Sequence, residues 1–250
     1  MTRKAIVTGA TSGIGMEVAK LLAERGWQVG IAGRRVERLM QLKRDHEGIV
    51  CYRQIDITSP DAPLLLHQLI DELGGMDLYF HSSGIGWQNN ALDLDKELKT
   101  VETNGLGFVR MVDTAFNWFA EHEKEHTAAN PSRHHIACIT SIAGTKGLGA
   151  APAYSATKRF QSHYLECLCQ QSRMRRLDIS ITDIRPGFVK TDLIAGSNYP
   201  LQLNANDVAR SIVRAIENGK GVKVIDWRYA ILVSIWRLIP RWLWTRLRIS

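Results

Sequence analysis

Four cysteines in 250 residues are too few and too scattered to frame disulfides. Cys51 and Cys138 fall in apolar runs with a strand pattern, and Cys167 and Cys169 lie two apart on a helical stretch, pointing in different directions. They read as small core residues of a reducing compartment. No leader peptide opens the chain, because Met1 to Lys4 runs straight into a strand pattern, and a cytoplasmic protein is expected. Long apolar runs are missing too. The longest uncharged stretch of the carboxyl tail, Tyr229 to Trp236, falls far short of the roughly 20 residues that cross a bilayer. There is no low-complexity segment and no repeat. The net charge of +7 has no basic helix or aromatic stacking platform beside it, which argues against nucleic acid. What remains has ordinary apolar content and enough length for one sizeable core.

That core is organised by alternation. Residues 3 to 8, 28 to 32, 50 to 55, 76 to 81, 134 to 140, 178 to 184 and 222 to 226 read as strands, with helical patterns between them. Such an order predicts an α/β fold with a parallel sheet and right-handed crossovers. A site should then lie beyond the carboxyl ends of the strands, where Gly9, Gly33, Asp56, Ser82, Ser141 and Pro186 all fall. The first of these ends is the most informative. Strand pattern Lys4 to Thr8 passes through Gly9 Ala10 Thr11 Ser12 Gly13 Ile14 Gly15 into an amphipathic stretch from Met16 to Arg25. Glycines allow a tight turn and a close approach to a pyrophosphate, and the helix N-terminus attracts its charge. The spacing is TGxxxGxG, not the commoner GxGxxG.

A second constellation carries acid–base chemistry. Tyr154 and Lys158 are four apart on a helical pattern and share a face, with Ser141 thirteen residues upstream. A cation about 4 Å from the phenol, at an effective dielectric of about 20, is worth roughly 4 kcal/mol, or about 3 pKa units. That suffices to make a tyrosine a working acid near neutrality.

Together the motifs resemble those of the compact short-chain dehydrogenase/reductase family, over nearly all of residues 3 to 226. Thr8, Gly9, Gly13, Ile14 and Gly15 match its glycine motif, and Ser141, Tyr154 and Lys158 match its Ser, Tyr and Lys. The resemblance implies a single Rossmann-like doubly wound sheet, a nicotinamide cofactor and a homo-oligomer. It also implies that Asn104 completes a proton relay through water, and that Pro186, Gly187, Val189 and Thr191 belong to the loop that meets the nicotinamide carboxamide. The family usually has Asn Ala Gly after its fourth strand, where this chain has Ser82 Ser83 Gly84. A serine keeps a hydrogen bond there and Gly84 the close approach, so a tuned cofactor site is expected.

The end of the second strand, Gly33 Arg34 Arg35, lacks the acidic residue that would accept from a ribose 2′-hydroxyl. Two guanidiniums there suit a 2′-phosphate instead, and NADP(H) is the expected cofactor. Asp56 matches the family aspartate at the adenine, with Ile57 packing beside the base, although Asp56 could equally cap a helix.

His122 Glu123 Lys124 Glu125 His126 spells HExxH, a zinc pattern, but it reads as a solvated helix end followed by a polar loop, and no metal is expected. His134 and His135 read as the polar entry to the fifth strand. Residues 227–250 form a tail after a catalytic domain of residues 1–226, with four of the seven tryptophans, five arginines and no acid. Ile231, Ile235, Leu238 and Trp242 recur at helical spacing, with Arg237 and Arg241 alongside, and Pro240 is expected to open a second short helix. The tail suits either an anionic membrane surface, peripheral on its inner face, or a seat over the substrate pocket or another subunit. The run Arg185 to Asp192, with Leu238 Ile239 Pro240, is similar to the reductases of decaprenylphosphoryl-ribose epimerisation, which act on a polyprenyl-linked keto sugar. A hydrophobic or lipid-linked carbonyl substrate is therefore expected, with a non-catalytic NADP(H)-binding regulator or membrane-associated redox sensor as the alternative.

Overall fold

The computed structural model describes residues 2–122, 134–192 and 199–247. Among them seven strands pair in parallel in the order β3-β2-β1-β4-β5-β6-β7. These are β1 (Lys4–Thr8), β2 (Gln28–Gly33), β3 (Ile49–Gln54), β4 (Leu78–His81), β5 (His134–Ile139), β6 (Ile179–Arg185) and β7 (Val222–Val224). No strand end lies more than two residues from its expected bound. The central strands are buried from both sides, which is why they read as apolar runs without alternation.

Helices cover both faces, as the sequence pattern predicts. On one, α3 (Ala62–Leu73), α5 (Phe108–Glu121) and α6 (Pro152–Met174) pack Leu66, Leu69, Phe108, Phe116 and Leu165 against Tyr79 and Ile136. On the other, α1 (Gly13–Glu24), α2 (Val36–Asp45) and α7 (Ala205–Glu217) pack Val18, Leu22, Leu39, Ile212 and Val213 against Val7, Val29 and Phe80. Between β1 and β4 the winding reverses direction, and such a reversal opens a crevice at the carboxyl ends.

Two local features bear on the site. First, α1 begins at Gly13, before the amphipathic pattern does, and takes in Gly15, where only glycine fits: a Cβ there would sit 2.3 Å from the Gly9 carbonyl oxygen. Second, α4 (Leu94–Val101) runs into α5 through a π-helical turn, Glu102–Gly107, which carries Asn104. Wide turns of this kind occur often at functional positions.

The tail forms α8 (Trp227–Leu238) and α9 (Arg241–Trp244) and seats on the domain. Tyr229 fills the space that Gly187 leaves, accepts from the Phe188 N–H at 3.2 Å and donates to the Leu201 carbonyl at 3.0 Å. Farther along, Trp244 Nε1 donates to the Gly147 carbonyl at 2.7 Å, and Lys146 Nζ to the Ile239 carbonyl at 2.7 Å. Pro240 precedes α9 as its cap, where the first helical position was the expectation; its ψ of 153° is extended.

Other expectations are corrected or fall outside the described residues. Cys51 and Cys138 are buried, but Cys167 is exposed, on the solvent side of α6. His122 stacks on Trp118 with ring centroids 4.0 Å apart, and the rest of HExxH lies outside the described residues. His134 and His135 are buried in β5, not a polar entry, with His134 stacked on Phe119 and His135 hydrogen-bonded to Thr182.

A Cβ on Gly187 would lie 2.3 Å from the Tyr229 ring. Gly187→Ala should therefore destabilise the chain by about 1–3 kcal/mol in urea unfolding. In a Tyr229→Ala background the same substitution should cost much less, and equal costs in both backgrounds would show that the tail is not seated this way.

Candidate functional site

A cavity of about 710 Å³ lies along the carboxyl ends of the strands. Gly9, Thr11, Ser12, Gly13 and Ile14 wall one end, flanked by Arg34, Arg35, Asp56 and Ile57. Ser82, Ser83 and Gly84 line the middle, with Pro186, Gly187, Val189 and Thr191 opposite them and Ser141, Tyr154 and Lys158 beyond. Two expected residues stand behind the wall. Gly15 permits the close packing of the glycine turn, and Asn104 is fully buried beneath Gly84.

The glycine end is built to take charge. Gly9 and Gly13 have φ of 79° and 56°, left-handed values that a side chain would strain. A Cβ on Gly9 would sit 2.6 Å from the Ser83 nitrogen, so the turn lies against the β4 end as closely as backbone can. Arg35 braces it from the other side, donating to Thr11 Oγ1 at 2.8 Å and to Ser12 Oγ at 2.6 Å. Arg38, on the first turn of α2, donates to the Thr11 carbonyl at 3.3 Å. Asp192 pairs with Arg35 at 3.4 Å and with Arg38 at 3.5 Å. Arg34 makes no side-chain hydrogen bond or ion pair among the described residues, and its exposed guanidinium lines the cavity. Arg38 carried no motif signal, although it stands one turn beyond Arg34, and the run that ends at Asp192 did not point to this pairing. Asp56 caps no helix, because α3 begins after Asp61; its Oδ1 instead closes a local turn, accepting from the Thr58 N–H at 3.0 Å and the Thr58 hydroxyl at 2.8 Å.

At the other end, Ser141 closes β5 and caps a short turn, its Oγ accepting from the Ala143 N–H at 3.1 Å. With that lone pair used, its own O–H is left to donate toward the Tyr154 phenol in the cavity. Tyr154 lies on the first turns of α6, and Gly86 makes room for its ring: a Cβ there would be 2.3 Å away. No motif pointed to Gly86.

Lys158 does not sit as the helical spacing suggested. Its Nζ is 5.8 Å from the centre of the Tyr154 ring and donates to the Ile139 carbonyl at 3.0 Å and to Gln161 Oε1 at 2.9 Å. Burial holds the Tyr154 phenol above its usual range, the Ser141 hydroxyl pulls it down, and Tyr199 pushes it up; Lys158 does not set it. The ammonium is itself buried, which brings its pKa down to about 8, against the opposing pull of Cys138 and Asp183. Behind it, burial and then Lys158 hold His81 neutral, with a pKa of about 3.

Asn104 is fixed by three bonds. Its Oδ1 accepts from the Ile85 N–H at 2.9 Å, and its Nδ2 donates to the Ile85 carbonyl at 2.7 Å and to Thr157 Oγ1 at 3.2 Å. Its backbone carbonyl accepts from Gln161 Nε2 at 2.9 Å. Gln161 carries no motif signal, yet it follows Tyr154 and Lys158 on the same face of α6 and is fully buried.

Because folding lowers the Lys158 pKa from 10.5 to about 8, the buried charge weakens the fold below pH 8. Between pH 8 and 10.5 the unfolded chain holds a proton that the folded chain does not, so stability rises with pH. Lys158→Met should gain on the order of 3 kcal/mol over the parent at pH 7 and lose that advantage by about pH 10.5. Urea unfolding at the two pH values measures it, and a constant difference would contradict the shift.

Comparison with known proteins agrees with this geometry. A family model described as short chain dehydrogenase matches residues 3–200. An uncharacterized oxidoreductase of Myxococcus xanthus is 31% identical over 246 residues, covering 95% of this chain and 93% of its own. A rat (Rattus norvegicus) protein, dehydrogenase/reductase SDR family member 7B, is 28% identical, covering 94% of this chain and 77% of its own. Among solved structures, an actinorhodin polyketide ketoreductase variant with NADPH superposes with a TM-score of 0.76 at 24% identity, covering 90% of this chain and 95% of that one. A short-chain dehydrogenase/reductase from Burkholderia phymatum in complex with NAD gives 0.79 at 18%, covering 93% and 92%. The chain belongs to the short-chain dehydrogenase/reductase family, oxidoreductases that bind a nicotinamide cofactor.

Proposed function

We propose that the protein is an NADP(H)-dependent reductase of a carbonyl on a hydrophobic or lipid-linked substrate. The observation that carries the reading is the convergence of Ser141, Tyr154 and Lys158 on the same cavity as the glycine turn. The residues present fit the cofactor. Glycine φ values leave the turn's backbone open to a pyrophosphate, and the guanidiniums of Arg34, Arg35 and Arg38 cluster at the end of β2 without an acid on that strand end. Asp192 offsets part of their charge, and a 2′-phosphate would compete with it for Arg35 and Arg38.

When bound, NADPH supplies the hydride. Ser141 donates to the substrate carbonyl oxygen, which lowers the cost of charge building there. Tyr154 Oη gives that oxygen its proton. Lys158 holds a positive charge at the cavity floor, where its remaining N–H can donate to a ribose hydroxyl. The substrate end is apolar: Ile142, Phe188, Leu232 and Trp236 line it, and Phe188 stacks on Tyr199 at 4.0 Å.

Purified protein should consume NADPH with hydrophobic ketones or lipid-linked keto sugars, at least about tenfold faster in kcat/KM than with NADH. Tyr154→Phe should abolish turnover and leave NADPH binding nearly intact. Parent-rate turnover by the variant would refute the assignment, and binding without consumption across the panel would favour a regulator.

The tail supports a membrane-facing orientation. Its inner residues Leu232 and Trp236 line the cavity, while Trp227, Ile231, Ile235, Leu238 and Trp242 are exposed on its outer side. No acid follows Asp226, and Lys146, Arg159 and Arg241 line a second cavity beneath α9. No helix among the described residues is long and apolar enough to cross a membrane, so contact would be interfacial. The protein should sediment with anionic vesicles, and Ile231→Glu with Ile235→Glu should weaken this by tenfold or more. Equal sedimentation of both forms would remove the membrane reading.

A further inference from the structure

The family resemblance implies a proton relay through water at Asn104. In this chain a side chain bridges Asn104 and Lys158 directly. Gln161 Oε1 accepts from Lys158 Nζ, and Gln161 Nε2 donates to the Asn104 carbonyl, both at 2.9 Å. The two partners dictate which way the amide points, because an ammonium can only donate and a carbonyl can only accept. Gln161 is 0% exposed, so no solvent competes for either bond. Nor can Asn104 turn to take over, since its side chain is tied to Ile85 and Thr157.

We propose that Gln161 is a positioning residue that replaces the relay water, fixing Lys158 at the cavity floor and closing the proton path behind it. The proposal rests on the reading of Tyr154 and Lys158 as the acid–base pair. A water between an ammonium and a carbonyl can accept a proton on one side and release one on the other. A primary amide can do so only through its imidic tautomer, so Gln161 conducts charge poorly while holding geometry well. In each reduction the substrate carbon gains the hydride from NADPH and its oxygen gains the Tyr154 proton. The resulting phenolate then recovers a proton from solvent admitted through the cavity mouth, and Gln161 is unchanged.

The same contact sets the surroundings of Lys158. Two of the three ammonium donors are occupied, by Ile139 and Gln161, which leaves one for the cavity. The titratable groups around it are Tyr154 on α6, His81 on β4, Cys138 on β5 and Asp183 on β6. His81 is neutral, burial holds the Cys138 thiol well above its usual range, and Asp183 is paired with Arg185 at 2.6 Å. Gln161 is thus the neutral acceptor through which the charge of Lys158 can be adjusted.

Lysine side-chain NMR of the cofactor-free full chain tests this, with Lys158 assigned from the signal missing in Lys158→Met. The parent should titrate near pH 8. Gln161→Glu puts a carboxylate against the ammonium and should raise the midpoint by about one to three units. Gln161→Met keeps the length without an acceptor and should lower it. Unchanged midpoints in both folded variants would show that Gln161 does not hold the ammonium and would overturn the proposal; if Gln161→Glu does not fold, Gln161→Met alone decides. For the closed path, kcat in mixtures of light and heavy water should vary linearly in the parent. Gln161→Ala, with room for a water, should give a curved dependence as further protons join the relay. Identical dependences would show that Gln161 closes nothing. The NMR measurement needs no substrate, so it stands or falls apart from the proposed activity.

Discussion

A buried ammonium must find acceptors or give up its proton, and the site is arranged around how Lys158 meets that demand. The Ile139 carbonyl at the end of β5 and the Gln161 amide one turn along α6 supply the acceptors. Those bonds tie the helix that carries Tyr154 to the strand that leads into Ser141. Gln161 extends the tie to the π turn, and Asn104 extends it to the segment after β4. Tyr154, Ser141 and the segment after β4 thus share one hydrogen-bonded frame. Such a frame keeps reacting groups within the narrow tolerances that catalysis by positioning requires.

The second constraint is closeness. Cβ atoms on Gly9, Gly15, Gly86 and Gly187 would each lie within 3 Å of a neighbour, and what occupies the space differs: backbone at the first two, the Tyr154 ring at Gly86 and the Tyr229 ring at Gly187. The first pair brings the glycine turn against the β4 segment. The other two set the Tyr154 ring and the tail. The tail is accordingly part of the cavity wall, and residues of its inner and outer sides meet different surroundings.

Much of this was legible because it is local. Strands buried on both faces show as apolar runs, and helices show as stripes, so the sheet and its boundaries followed from residues that are near neighbours in sequence. The glycine turn and the Tyr154–Lys158 spacing are local as well, and all but Gly15 and Asn104 of the expected residues line one cavity. The electrostatics were not legible. An i, i+4 spacing places Lys158 on the face of Tyr154, but burial of the phenol raises its pKa where the spacing alone predicted a fall.

The sequence by itself determined a parallel sheet of seven strands, a glycine turn and a Ser–Tyr–Lys set, because periodicity and short motifs are properties of a single stretch of chain. Only the tertiary structure decided the rest. Gln161 meets Asn104 across 57 residues, Asp192 meets Arg35 across 157, and Trp244 meets Gly147 across 97. Pairings at such separations arise from how helices pack on the sheet, and no spacing rule encodes them. For the same reason desolvation, which sets the charge on Lys158, exists only once the chain has closed around it.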